Sequence, residues 1–200
     1  MNIGIDIDGV LTDIQGFNRR HAPPFFKRKF GRDVADENPY DIRDIFGCPE
    51  NEYLAYWNKY LLKYVTLEPA RKGAKAIIRK LRADGHTIYV ITKRVHVCKD
   101  NFLGKLMRFL VRDWLRRNGI CYKEIVFCDN DVPDSKRTAC LDKHIDVMVD
   151  DEIANIEAIA PIAKVICYDA SYNRECESKN IIRAREWDEI AILLNEWNDN

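Results

Sequence analysis

The sequence predicts an α/β fold with a Rossmann-like core. Short apolar segments of the length of buried strands alternate along the chain with segments whose apolar residues recur at helical spacing. This alternation is typical of a parallel sheet with right-handed crossovers. An aromatic-rich segment separates the first strand from the rest. We therefore expect a three-layer core with a parallel five-stranded sheet, in the order 3-2-1-4-5, and a small helical segment inserted after the first strand.

The first strand is predicted at residues 3–8, an apolar run broken by carboxylates and closed by a glycine. In residues 14–68, aromatic residues are dense, prolines interrupt, and the segment EYLAYWNKYLLKYV carries apolar residues at helical spacing. This indicates a mostly helical insertion. After Pro69, the segment ARKGAKAIIRKLRADG predicts a helix that Gly85 ends.

The remaining elements follow the same alternation. Further strands are predicted at residues 86–92, 124–128, 146–149 and 164–168. Helices are predicted before Gly119, from about Ser135 to His144, and in the terminal segment EWDEIAILLNEW.

Composition excludes several classes of protein. Lys and Arg number 32 and Asp and Glu also number 32, so no net charge attracts a polyanion, and we expect no nucleic-acid partner. The seven scattered cysteines indicate reduced thiols, and no Cys or His cluster has zinc spacing. Neither a signal peptide nor an apolar run of membrane-spanning length is present, which predicts a cytoplasmic protein without a membrane partner.

Polar residues follow the predicted strands where a core would be apolar. Ligands of open parallel sheets bind outside the carboxyl ends of the strands. The residues expected at this edge are Asp6, Asp8 and Thr12 after the first strand, Thr92, Lys93 and Arg94 after the second, and Asp150 and Asp151 after the fourth. Buried carboxylates need a compensating cation, and oxygen ligands favour Mg²⁺. We therefore predict a magnesium site formed by Asp6, Asp8, Asp150 and Asp151.

The segment DIDGVLT at residues 6–12 resembles the DxDGVxT signature of the haloacid dehalogenase superfamily. Thr92, a lysine and the Asp150-Asp151 pair resemble its other motifs in order, over residues 1–13 and 69–160. GHTIYVITKR and DVMVDDEIANI are similar to the 5'-(deoxyribo)nucleotidase-like branch, although that branch has ITAR where this chain has ITKR. The resemblance implies a catalytic core at residues 1–13 and 69–200 and a helical cap at 14–68.

The resemblance also implies a role for each matching residue. Asp6 is the expected nucleophile, and Asp8 is the expected acid and base for the leaving oxygen and the water. Thr92 and a lysine would stabilise the transferring phosphoryl group. Thr12, Lys93 and Arg94 are the expected substrate contacts.

Helix direction decides which lysine takes part. A crossover helix starts at the active edge of the sheet and runs away from it. Lys136 lies at the start of the predicted helix, whereas Lys143 is seven residues further along, roughly 10 Å away. We therefore predict that Lys136 is the catalytic lysine.

The aromatic residues of the insertion have two interpretations. They could stack on a nucleobase, or they could form the core of the insertion itself. We expect most of them to form that core and one or two to contact substrate. The residues concerned are Phe17, Phe25, Phe26, Tyr40, Phe46, Tyr53, Tyr56 and Trp57.

These observations favour a magnesium-dependent phosphomonoester hydrolase that acts on a nucleotide or another small phosphorylated metabolite. A sugar-phosphate phosphatase or phosphomutase is the alternative, and a homodimer is left open. A signalling receiver domain is disfavoured because receivers carry the acid pair on the first strand. A binding protein without turnover is disfavoured because every expected catalytic position is filled.

Overall fold

A computed structural model of the chain describes residues 1–198. The sheet has six parallel strands in the order β3-β2-β1-β4-β5-β6. The strands are β1 (Asn2–Ile5), β2 (Thr87–Thr92), β3 (Glu124–Phe127), β4 (Val147–Asp150), β5 (Lys164–Tyr168) and β6 (Ile181–Ala184). The helices are α1 (Ile14–Phe30), α2 (Ile42–Phe46), α3 (Glu50–Leu67), α4 (Ala74–Ala83), α5 (Phe102–Arg117), α6 (Ser135–Asp142), α7 (Ile153–Ile159) and α8 (Trp187–Asn198).

Side chains that alternate along the strands divide the core into two layers. Val147 and Val149 face a cluster that also contains Trp114 of α5 and Trp187 of α8. Met148, between the two valines, faces a second cluster with residues of α6 and α7. Because successive strand residues point to opposite faces, helices cover both sides of the sheet. The predicted α/β core with a parallel sheet is confirmed.

The five-strand prediction was wrong by one strand. β6 pairs with β5, with Ile182 opposite Ile166, and forms the edge of the sheet. It has four residues, and Ile182 is 36% exposed. Its apolar residues are too few to form a recognisable strand pattern, and a long polar segment separates it from β5. The predicted order 3-2-1-4-5 is otherwise the observed one.

Helices α1, α2 and α3 lie between the first strand and α4, and they share a core of their own. That core contains Phe25, Phe26, Phe46 and Tyr56 together with smaller residues. Helix α1 continues through two adjacent prolines, which the sequence had suggested as an interruption. Burial of the aromatic residues that follow these prolines opposes the loss of backbone hydrogen bonds there.

None of the helices within residues 1–198 combines the length and apolar character that crossing a membrane requires.

Candidate active site

The carboxyl ends of β1, β2 and β4 meet at one edge of the sheet and bring the predicted acids together. Asp6 directly follows β1, and its backbone N–H donates to the Val149 carbonyl at 3.0 Å, which extends the ladder to β4. Asp150 ends β4, and Asp151 follows it. One carboxylate oxygen from each of Asp6, Asp150 and Asp151 lies within 4.8 Å of the others. All three residues are buried.

Lys136 supplies the cation between these acids. Its Nζ donates to Oδ2 of Asp150 at 2.7 Å and lies 2.9 Å from Oδ1 of Asp6. Lys136 is 2% exposed and lies in the first turn of α6. Lys143 follows the end of that helix, where its Nζ pairs instead with Glu124 at 2.6 Å on the surface. Helix direction therefore separates the two lysines as the sequence indicates.

The three carboxylates of this group carry more negative charge than the single lysine balances. Burial, together with Asp150 and Asp8, raises the pKa of Asp6 to about 7 even though Lys136 opposes the shift. Burial, and then Asp150 and Asp6, raise the pKa of Asp151 well above its usual range. Burial alone would lower the pKa of Lys136, but the two facing carboxylates outweigh it and raise that pKa.

The group fits a hard divalent cation. It offers three carboxylates, and Oδ1 of Asp6 is buried with the ion pair to Lys136 as its polar contact. Gly9 leaves room beside the third acid, since a Cβ on Gly9 would lie 1.9 Å from Oδ2 of Asp151. Oxygen donors of this number and charge suit Mg²⁺.

Asp8 occupies a different environment from the metal group. Its carboxylate accepts from Nε of Arg94 at 3.1 and 3.0 Å, from a second Arg94 nitrogen, and from the Tyr64 hydroxyl at 2.6 Å. Burial would raise the pKa of Asp8, but Arg94 and the Tyr64 hydrogen bond outweigh it and lower that pKa. The structure therefore does not bring the Asp8 carboxylate into the predicted metal cluster, because two other side chains already hold it.

The predicted substrate contacts lie in unequal positions. Thr12 is fully buried, and its hydroxyl donates to the Ile7 carbonyl at 3.0 Å and contacts the Tyr64 hydroxyl at 2.7 Å. Its side chain is therefore linked to Asp8 through the Tyr64 hydroxyl. Arg94 is 4% exposed, and one of its terminal nitrogens, Nη1, is buried without a hydrogen-bond partner. Lys93 is half-buried.

Thr92 ends β2 and is fully buried. Its hydroxyl accepts from the backbone N–H of Arg94 at 3.3 Å. The hydroxyl therefore lies at the carboxyl edge of the sheet, where the neighbouring strand β1 leads into Asp6.

Sequence reasoning missed three groups around the site. Tyr64 of α3 reaches Asp8 from 56 residues away. Tyr172 donates to Oδ2 of Asp151, and Asn173 donates through Nδ2 to the Asp151 carbonyl at 2.8 Å. All three depend on tertiary contacts, and the only available signal was the position of Tyr172 and Asn173 shortly after the fifth strand.

A cavity of about 260 Å³ is lined mainly by residues of the insertion. Tyr40 and Phe46 of the insertion line it, and so does Tyr172 of the core, whose hydroxyl donates to Asp151. Most of the other aromatic residues pack within the insertion, as the sequence indicates.

Comparison with known proteins identifies relatives along nearly the whole chain. Residues 1–196 match the model of the family described as 5' nucleotidase, deoxy (pyrimidine), cytosolic type C protein. A nucleotidase from Clostridium acetobutylicum is 28% identical over 198 residues, which cover 98% of this chain and 94% of that protein.

Solved structures share the fold. One is a phosphatase from Clostridium acetobutylicum, assigned by prediction, with a TM-score of 0.64, 17% identity and coverage of 98% of both chains. Another is a hydrolase of the haloacid dehalogenase family from Deinococcus radiodurans with bound phosphate and sodium, with a TM-score of 0.64 and 16% identity. The match covers 98% of this chain and 96% of the Deinococcus radiodurans protein.

Proposed function

Because this chain belongs to the cytosolic type C 5' nucleotidase family and is a phosphoric monoester hydrolase of the haloacid dehalogenase superfamily, we propose that it hydrolyses nucleoside 5'-monophosphates through an aspartyl phosphate on Asp6. The observation that carries this proposal is the ion pair of Lys136 with both Asp6 and Asp150. In this ion pair, the proposed nucleophile Asp6, the cation and a further acid lie together at the carboxyl edge of a parallel sheet.

In the first step, a carboxylate oxygen of Asp6 attacks phosphorus in line, and the bond from phosphorus to the nucleoside oxygen breaks. Asp8 gives the leaving oxygen its proton. In the second step, Asp8 takes a proton from water as the water attacks phosphorus, and the bond to Asp6 breaks to release phosphate. Lys136 stabilises the negative charge that both steps develop.

Arg94 has a second use in this mechanism. Its contact lowers the pKa of Asp8 and so keeps that residue ionised, which suits the base of the second step. For the first step Asp8 must carry a proton, so its contact with Arg94 must loosen when substrate enters. The buried Nη1 of Arg94, which has no hydrogen-bond partner, is available to a phosphate oxygen. This free nitrogen supports Arg94 as a substrate contact. Thr12 instead contacts the Tyr64 hydroxyl that holds Asp8.

Asp6, Asp150 and Asp151 would hold Mg²⁺, which supplies charge compensation for the phosphoryl group when it is bound. The nucleoside would occupy the cavity between Tyr40, Phe46 and Tyr172. Its volume is near the lower end for small-molecule sites, about 300 Å³. Residues 14–68 would then act as the cap that excludes water from the first step.

Phosphate release from a panel of nucleoside and sugar monophosphates, assayed with Mg²⁺, tests this function. Asp6→Asn should abolish release and leave the circular dichroism spectrum unchanged. Asp84→Asn is the matched control, because Asp84 forms a surface pair with Lys80 before β2, at the opposite edge of the sheet. Turnover by Asp6→Asn near the wild-type rate would refute the mechanism. Retention of phosphate on an isomerised sugar would favour a phosphomutase.

A further inference from the structure

A short turn after β5 contacts the acid cluster from outside. The turn is a single 3₁₀ segment, Ser171–Asn173, and none of the proposed catalytic steps uses it. Asn173 is fully buried, and its Nδ2 donates to the carbonyls of Asp151 and Tyr168, each at 2.8 Å. The turn therefore fixes the backbone of Asp151 relative to the end of β5.

The neighbouring residue, Tyr172, holds the side chain of the same acid. Its hydroxyl donates to Oδ2 of Asp151. Gly9 also lies beside that carboxylate, since a Cβ on Gly9 would approach within 2.7 Å of both carboxylate oxygens. The Asp151 carboxylate therefore has little free space around it, and both the main chain and the side chain of Asp151 are bonded to the turn.

Strand β6 supports this turn. Nη1 of Arg183 donates to Oδ1 of Asn173 at 2.7 Å and to Asp169 at 2.9 Å, and Nη2 donates to the Asn173 carbonyl at 2.8 Å. A guanidinium that bonds both the side chain and the main chain of one residue limits the movement of that residue. The edge strand is therefore connected to Asp151 through a continuous set of hydrogen bonds.

We propose that Tyr172 is a positioning residue for the metal-binding carboxylate of Asp151, and that Asn173 and Arg183 hold Tyr172 in place. The inference rests on the proposed function, because it requires a metal ion at Asp6, Asp150 and Asp151. A hydroxyl that occupies one carboxylate oxygen orients the other oxygen. Partners of this kind around metal ligands typically change metal affinity about 10-fold to 100-fold when they are removed.

Tyr172 also connects the metal site to the insertion. Its ring packs edge-on against the ring of Tyr40, with centroids 4.9 Å apart, and Ser171 beside it accepts a hydrogen bond from Gln15 of α1. A substitution that removes only the hydroxyl therefore keeps the contact with the insertion. Tyr172→Phe is such a substitution.

The test measures Mn²⁺ binding to the full chain by electron paramagnetic resonance, without substrate. Tyr172→Phe should raise the Kd for Mn²⁺ about 10-fold. The Mg²⁺ concentration for half-maximal phosphate release should rise by a similar factor. Tyr122→Phe, which alters a tyrosine before β3, at the edge of the sheet opposite the site, should leave both constants unchanged.

Arg183→Lys, which retains the charge and loses the fork, should give a smaller rise in the same two constants. A Tyr172→Phe protein that binds Mn²⁺ with the wild-type Kd would overturn the inference and leave the proposed function standing. A lower melting temperature of Tyr172→Phe without a change in its Kd for Mn²⁺ would overturn the inference too, because the Tyr172 hydroxyl would then be purely structural. Failure of the wild-type protein to bind Mn²⁺ would overturn both the inference and the proposed metal site.

Discussion

Replacement of Lys136 by alanine tests the charge balance on which the site depends. The side chain is 2% exposed and contacts Asp6 and Asp150 at 2.9 and 2.7 Å. Its removal takes away the cation that faces the nucleophile. Loss of about 3 to 4 kcal/mol of transition-state stabilisation should lower kcat by roughly 100-fold to 1000-fold.

The same change should also destabilise the metal-free fold. Removing one partner of a buried ion pair costs about 3 to 5 kcal/mol. In a chain of this length, that corresponds to a fall in Tm of roughly 6 to 20 °C. The fall should be smaller at acidic pH, where the Asp6 carboxyl can take up a proton instead, and Mg²⁺ should restore part of it because a second cation then faces the acids.

Steady-state phosphate release and differential scanning calorimetry measure the two effects. Lys136→Met, which keeps most of the volume, distinguishes loss of charge from loss of packing. Lys143→Ala is the matched control, because its ion pair with Glu124 is on the surface. A Lys136→Ala protein with kcat within threefold of wild type, or an equal loss in Lys143→Ala, would refute the reasoning from helix direction and with it the assignment of the catalytic lysine.

Four further predictions concern the metal and the space around it. EDTA should remove activity, Mg²⁺ should restore it and Ca²⁺, which prefers more ligands, should inhibit; full activity in a chelated sample would contradict the metal site. Because the pKa of Asp6 is raised from 3.8 to about 7, the metal-free fold retains a proton that the unfolded chain loses, and its free energy of unfolding should fall as pH rises through that window. Mg²⁺ binding must displace this proton. The Mg²⁺ concentration for half-maximal activity should therefore fall as pH rises towards 7, by up to about tenfold per pH unit. A Mg²⁺ requirement that does not change with pH would contradict the raised pKa of Asp6. Gly9→Ala should abolish activity, because its Cβ would lie 1.9 Å from an Asp151 oxygen. Gly85 is the matched control: its φ is 89° against 91° for Gly9, but a Cβ there meets no atom within 4 Å, so Gly85→Ala should lower only Tm.

The sequence predicted the parts of the fold that depend on local pattern. β1, β2 and β4 are central and buried, so their apolar runs identify them, and polar residues at their ends were expected to meet at one edge. The position of Lys136 followed from helix direction alone. β6 was missed because an edge strand of four residues, of which only Ala184 is buried, carries little of that pattern.

The surroundings of the acids could not be predicted in the same way. The pairing of Asp8 with Arg94 and Tyr64 joins positions 86 and 56 residues away, and nothing in local spacing indicates it. Tyr172 and Asn173 follow a strand in an irregular segment, where many side chains could point elsewhere. Such contacts depend on packing between elements, which a single sequence does not specify.

The hydrogen bonds of Tyr64 limit how this protein could be re-engineered. The tyrosine belongs to α3 in the helical segment at 14–68, yet its hydroxyl contacts both Asp8 and Thr12 in the loop after β1. Exchanging that segment for the corresponding one of a relative would therefore also exchange a partner of the acid–base residue. A chimera that keeps its original α3 should preserve the core chemistry, whereas a wholesale graft without an equivalent hydroxyl would alter reactivity and selectivity at once.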